Sequence, residues 1–215
     1  MAKVHSKSAA KIFGIGMPKT GTTSLNQALN ALGIRTLHWL SEKRTLDQLE
    51  KGDLRLDALR NHDGVTDIIG MLWYKELDRI FPGSKFILTV RQKEDWLESA
   101  SHFWPKNEAK KKERALYYYR TSVFGCLDFR RDHFWDVYED HRHNVRRYFV
   151  DRPQDLLEID ICSGQGWEKL CPFLNIETPD IPFPHLNHYR KKSEPGDQQD
   201  ANSLNHFIQI DSTQI

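Results

Sequence analysis

Residues 16–24 carry the densest chemistry in the chain. Gly16-Met17-Pro18-Lys19-Thr20-Gly21-Thr22-Thr23-Ser24 sets one ammonium and four hydroxyls into a single glycine-bounded segment. A short apolar run, Ile12-Phe13, precedes it. An amphipathic series follows, Leu25, Ala28, Leu29 and Leu32, closed by Gly33. That order predicts a strand, a tight turn and a helix with a glycine stop. Such a turn aims backbone N–H groups and a helix N-terminus at one point, so a phosphate or sulfate group is expected near residues 17–24. Gly16 and Gly21 have the spacing of the G-x-x-x-x-G-K-[ST] loop, but Thr22 stands where that loop requires lysine. The hydroxyls of Thr22 and Thr23 are kept, and the cation has moved to Lys19. An NTPase needs its lysine on the β- and γ-phosphates and a hydroxyl on magnesium. A displaced cation implies a related anion that is cleaved at a different point.

The second chemical signal follows the run Lys85-Phe86-Ile87-Leu88-Thr89-Val90, which is nearly continuous and β-rich, as a buried parallel strand should be. An NTPase often places a metal-binding aspartate at the end of such a strand. This chain places Arg91 there, with Ser99 eight residues later in the next predicted helix. A cation at a strand end and a hydroxyl two turns into a helix can converge on one anion, beyond the carboxyl ends of the strands. Two groups able to move a proton end other predicted strands: His38 after Arg35-Thr36-Leu37, and Asp67 within residues 64–68.

These residues need a scaffold. With 215 residues the chain is long enough for one large α/β domain. Lys and Arg total 31 and Asp and Glu 30, a net charge of +1. That balance offers no electrostatic case for a nucleic-acid or membrane partner. Cys126, Cys162 and Cys171 are few and odd in number, as expected of reduced thiols. The start of the chain has no apolar signal core, and no apolar run reaches about 18 residues, so a cytoplasmic protein without a membrane anchor is expected. Residues 41–60 predict one or two short helices, and residues 74–80 a helix stopped by Pro82-Gly83. Asp95 is expected to cap a helix bearing Trp96, Leu97 and Ala100. Residues 107–150 have helical spacing, residues 156–160 form a last strand, and Gly166-Trp167 opens a helix. Pro179, Pro182 and Pro184 force an extended segment. Alternating strands and helices argue for a parallel sheet covered on both faces. Residues 1–10 are expected to be flexible, residues 11–192 to form a single domain, and residues 193–215 to be a polar, mobile tail.

Residues 18–25, Pro-Lys-Thr-Gly-Thr-Thr-Ser-Leu, closely resemble the P-K-[ST]-G-T-[TS] phosphosulfate loop of the sulfotransferases that use 3′-phosphoadenosine 5′-phosphosulfate (PAPS). The resemblance spans roughly residues 11–190. It takes in the segment 85–99, the run Phe81-Pro82-Gly83-Ser84-Lys85, and the runs 164–174 and 182–187. It implies a three-layer P-loop fold of class α/β, with a central parallel sheet of about five strands flanked by helices. It also implies that Arg91 and Ser99 hold the 3′-phosphate, and that a late basic loop closes that site. The R-K-G-x-x-G-D-W-K form of that loop is absent, so Arg190 is assigned by position alone.

The implied reaction moves a sulfuryl group from PAPS to a hydroxyl or amine acceptor and yields PAP. It needs cations and N–H donors at the oxygens where charge develops, and no metal. The expected cofactor-binding residues are Pro18, Lys19, Thr20, Gly21, Thr22, Thr23, Ser24, Arg91, Ser99 and Arg190. Lys19 is the expected catalytic cation. Asp67 is the first choice for the general base and His38 the second; the resemblance sets a histidine base near the position of Asp67. The aromatic stretch 104–138 is read as either helix packing or an acceptor pocket, and Lys110-Lys111-Lys112 as a solvated helix face. The acceptor is expected to be a small molecule or a glycan, and a homodimer is left open. Two alternatives stand beside this reading: a protein that binds PAP or a nucleotide without turnover, and a P-loop kinase. The kinase would need a lysine at position 22 and a metal carboxylate near position 91.

Overall fold

The structure is a computed structural model, and it describes residues 10–103 and 113–186. Five strands form one parallel sheet in the order β2-β3-β1-β4-β5: β1 Ile12–Gly14, β2 Thr36–His38, β3 Gly64–Thr66, β4 Lys85–Thr89 and β5 Leu156–Ile159. Seven helices flank it: α1 Thr22–Ala31, α2 Lys43–Glu50, α3 Ile68–Ile80, α4 Lys93–Phe103, α5 Arg114–Phe124, α6 Arg131–Tyr148 and α7 Trp167–Leu174. The expected α/β class with a parallel sheet of about five strands is what the chain forms.

Side-chain alternation along β4 explains the layers. Ile87 joins Leu25, Leu29, Ile159 and Leu170, so α1 and α7 cover one face. Phe86 and Leu88 point the other way, into the cluster of Phe13, Val65, Ile69, Leu77, Val145 and Phe149 beneath α3 and α6. Because β1 lies between β3 and β4, the loop after β1, the residue after β3 and Arg91 after β4 all emerge side by side at the carboxyl edge. His38 ends β2 in register with Thr66, one strand further out.

Local boundaries differ from the sequence expectations in three places. Strand β3 stops at Thr66, and α3 starts at Ile68 rather than near Tyr74, with non-helical backbone at Trp73. The early start is permitted by Gly70, where a Cβ would collide with the carbonyl oxygen of Gly14. Asp95 lies in the first turn of α4, which begins at Lys93, and does not cap it. The described part of the aromatic stretch is packing: Tyr119, Phe124, Phe134 and Tyr138 are buried, and the rings of Phe124 and Phe134 stack at 3.9 Å. Residues 110–112 and Arg190 lie outside the described residues, as do residues 1–9 and the expected tail.

Among the described residues no helix is long and apolar enough to cross a membrane. The three cysteines are free thiols. The contact of α3 with β1 yields the first prediction. Gly70→Ala forces the helix off the strand and lowers stability by about 1–3 kcal/mol, the cost of overpacking a tight contact. An unchanged urea midpoint would refute this tight packing.

Candidate active site

The loop between β1 and α1 is held by its carbonyl oxygens. His141 Nε2 donates to Ile15 O at 2.7 Å, and the hydroxyl of Thr20 donates to Met17 O at 2.6 Å. Trp96 Nε1 donates to Pro18 O at 2.9 Å, and Arg91 Nη1 to Lys19 O at 3.2 Å. Burial pulls the His141 pKa down to about 4, so the ring stays neutral and donates one fixed N–H. Gly16 presses on Thr89, where a Cβ would lie 2.6 Å from the Thr89 carbonyl oxygen. Lys19 and Gly21 both take positive φ, 74° and 92°, and the loop turns directly into α1. Gly21 is the N-cap and supplies no side chain, so the first N–H groups of α1 carry no side-chain cap. These bonds hold the loop in place as it runs into the uncapped start of α1.

That start opens into a cavity of about 430 Å³. The expected residues Pro18, Lys19, Gly21, Thr22, Thr23, His38, Asp67, Arg91 and Ser99 all line it. Thr20 and Ser24 do not. Thr20 is buried against Thr89, with its oxygen 2.6 Å from Thr89 Oγ1, and its N–H goes to Met17 O. Ser24 Oγ accepts from the N–H of Leu186 at 2.9 Å and so ties down the C-terminal segment. Both hydroxyls serve the fold, although their spacing matches the loop motif. The cavity also takes in Leu186, from the resembling run 182–187, and Trp39, Ser41, Phe103, Glu113, Ala115, Leu116 and Cys162, none of which carried a motif.

Two cations share this cleft. Burial, and then the charge of Arg91, lower the pKa of Lys19. Among the described residues neither cation has a carboxylate within ion-pair distance; the Lys19 ammonium lies over the Phe103 ring at 4.8 Å. Arg91 Nε is buried with no hydrogen-bond partner among the described residues. The backbone of Arg91 is gripped by Tyr138, whose hydroxyl accepts from Arg91 N at 2.8 Å and lies 3.1 Å from Arg91 O. Two unneutralised cations, an orphan guanidinium N–H and an uncapped helix start fit one anionic ligand.

Asp67 and His38 face this cationic end. Asp67 is buried, and its backbone sits at φ 75°, ψ −151°, a region used almost only by glycine. Burial pushes its pKa up to about 7, against the N–H of Ile68 and the charge of Lys19, which lower it. Its Oδ1 has no partner. Its Oδ2 lies 3.8 Å from His38 Nε2. Burial lowers the His38 pKa to about 4, so this close approach is not a charged pair near neutral pH. His38 instead bonds through Nδ1 to Thr66 Oγ1 at 2.8 Å and through Nε2 to Thr23 Oγ1 at 3.2 Å. No group of three or more potential metal ligands occurs among the described residues.

Comparison with known proteins fits this geometry. A family model described as a sulfotransferase domain matches residues 11–191. The chain belongs to the sulfotransferase family. Among curated proteins it is similar to Ava biosynthesis cluster protein M of Aspergillus versicolor. The two are 26% identical over a 212-residue alignment that covers 82% of this chain and 80% of that protein. Among solved structures it is similar in fold to a sulfotransferase from Alicyclobacillus acidocaldarius. The TM-score is 0.50 at 15% identity, with 81% of this chain and 84% of that one covered. In this sulfotransferase chain the matched residues include the loop, Arg91 after the central strand and the other residues that line the cavity.

Two measurements check the site's energetics. Trp96→Phe leaves the buried Pro18 carbonyl unpaired and costs about 1–3 kcal/mol of stability; an unaltered melting temperature would remove this clamp from the account. Asp67 has a folded pKa above its unfolded value of 3.8. Its contribution to stability is therefore fully present below about pH 4 and is lost as pH rises through about 7. Asp67→Asn should gain stability over the parent as pH rises from 4 to 8, by on the order of a few kcal/mol at the top. A difference in melting temperature that does not vary with pH would show that the carboxyl is not held in its neutral form.

Proposed function

We propose that this sulfotransferase takes its sulfuryl group from PAPS and transfers it to a hydroxyl or amine of a small-molecule or glycan acceptor. The observation that carries this reading is the pairing of Lys19 with Arg91 in one cleft, without carboxylate partners among the described residues and beside the open start of α1. PAPS would supply a sulfuryl group on a phosphate leaving group, together with a second phosphate for recognition. In the transfer the sulfur–oxygen bond to that phosphate breaks, a bond from sulfur to the acceptor forms, and the acceptor's proton passes to a base.

Each residue then has a task. The ammonium of Lys19 neutralises charge on the leaving oxygen. The N–H groups at Gly21, Thr22 and Thr23, with the two threonine hydroxyls, hold the 5′-phosphate. Arg91 and Ser99, which line the same cavity, hold the 3′-phosphate. Asp67 takes the proton: a carboxylate whose pKa lies at about 7 is a better proton acceptor near neutral pH than an imidazole pulled down to about 4. Trp39, Leu116 and Leu186 give the acceptor an apolar wall. No step of this reading requires a metal, and Arg91 takes the place of the carboxylate that a kinase would use.

Calorimetric titration with PAP, run beside ATP with magnesium, tests the donor. Micromolar or tighter PAP binding that is independent of magnesium and lost in Arg91→Ala is expected. Selective, magnesium-dependent ATP binding would overturn the reading. With PAPS and a screened acceptor, Lys19→Ala should cut turnover by about 10²-fold or more, as for loss of one charge-stabilising donor; a loss below about threefold would remove Lys19 from the chemistry. The rate should rise with pH through an apparent pKa near 7, because Asp67 works deprotonated, and this acid limb should vanish in Asp67→Asn. Tight PAP binding without turnover on any acceptor would instead support the non-catalytic alternative.

A further inference from the structure

We infer that Thr66 is a positioning residue: its side chain locks His38 as the Nδ1–H tautomer, so that the ring offers Asp67 and the cavity a lone pair on Nε2 rather than a proton. The inference deepens the reading of Asp67 as the proton acceptor and rests on it.

The hydrogen-bond directions lead there. Thr66 Oγ1 lies 2.8 Å from His38 Nδ1, the shortest polar contact of either group. The Thr66 hydroxyl also lies 3.3 Å from the carbonyl oxygen of Leu37 and 3.4 Å from Asn26 Oδ1. The Thr66 hydroxyl has Leu37 O to donate to, and in that arrangement its oxygen accepts from His38 Nδ1–H, the tautomer inferred here. With the ring's single proton on Nδ1, Nε2 accepts from the hydroxyl of Thr23 at 3.2 Å. Thr66 cannot swing away. It is buried in β3, and its Cβ packs where a side chain on Gly14 would stand.

The sign of this arrangement matters for Asp67. A proton on Nε2 would point at Asp67 Oδ2, 3.8 Å away, and would favour the carboxylate. A lone pair there favours the neutral carboxyl, because its partial negative charge faces Asp67 Oδ2 in place of an N–H. The charged or titratable groups facing Asp67 are His38 from β2, Lys19 from the loop and Tyr119 from α5. Lys19 favours the carboxylate and Tyr119 is neutral near pH 7, so the His38 lone pair is the side-chain group that opposes Lys19. When the hydroxyl of Thr23 turns to an anion at the start of α1, Nε2 loses its partner and becomes available to the acceptor site. The threonine thus couples a filled phosphate site to a proton-ready base.

The test is the tautomer itself, read from long-range 1H–15N correlations of His38 in the unliganded protein, together with the 13C titration of the Asp67 carboxyl. We expect Nδ1 to be protonated and Nε2 bare in the parent. In Thr66→Val the tautomers mix, and the Asp67 titration moves down by about one pH unit, the size of one hydrogen bond to a charged group. Thr66→Ser should keep the parent tautomer and titration. In turnover assays the acid limb should move with the carboxyl in Thr66→Val and return in Thr66→Ser. A parent with Nε2 protonated, or a Thr66→Val protein with unchanged tautomer and unchanged Asp67 titration, would overturn the inference. These spectra need neither donor nor acceptor. The expected tautomer without any sulfuryl transfer would therefore fault the reading of function, whereas active enzyme with the opposite tautomer would fault Thr66 alone.

Discussion

The four carbonyl oxygens at residues 15, 17, 18 and 19 are each fastened by a donor from elsewhere in the chain or loop, and the site follows from that constraint. These ties fix the path of the loop into α1, whose first N–H groups have no side-chain cap. The donors come from α6, the loop itself, α4 and the end of β4. The anion site is therefore preorganised by the packing of three elements rather than by the loop's own preferences, and it needs no rearrangement to meet charge. The same tethers bring Arg91 close to Lys19, which is unfavourable until something negative lies between them.

Much of this was legible in the residues. The loop, the central strand with Arg91 at its end, and Ser99 in the following helix stood out because anion chemistry needs glycine, hydroxyl and cation at short spacing. Asp67 and His38 stood out because they end predicted strands in a parallel sheet. The parallel sheet followed from the alternation of strands and helices, and its count of about five strands from the family resemblance. What stayed hidden depends on contacts distant in sequence. Trp96 read as an ordinary helix aromatic and His141 carried no signal, and only the fold brings them to carbonyls 78 and 126 positions away. Thr20 and Ser24 could not be separated from Thr22 and Thr23 by spacing, because the direction of each hydroxyl depends on the turn at Lys19 and Gly21. The start of α3 was misplaced because the reason for it is a close approach of Gly70 to Gly14, which no local pattern displays.

Asp67 concentrates several costs at one position. It combines a backbone conformation suited to glycine, an unpaired oxygen and a carboxyl that burial drives toward its neutral form. A glycine there would relieve all three and would keep the turn from β3 into α3. Retaining a carboxylate under those conditions makes sense where its proton affinity is useful, and the neighbouring lone pair of His38 raises that affinity further.

The hydrogen bond from Leu186 N to Ser24 Oγ joins the last described residue to the first turn of α1. In a saturation mutagenesis screen scored by activity, Ser24 would rank with the residues that line the phosphate loop. Its hydroxyl faces the C-terminal strap instead, so its genetic partners would lie around position 186 and not around Lys19. The segment 18–24 thus holds hydroxyls with two tasks, some lining the cavity and one tying residue 186 to α1. A profile that weights them equally mixes the two.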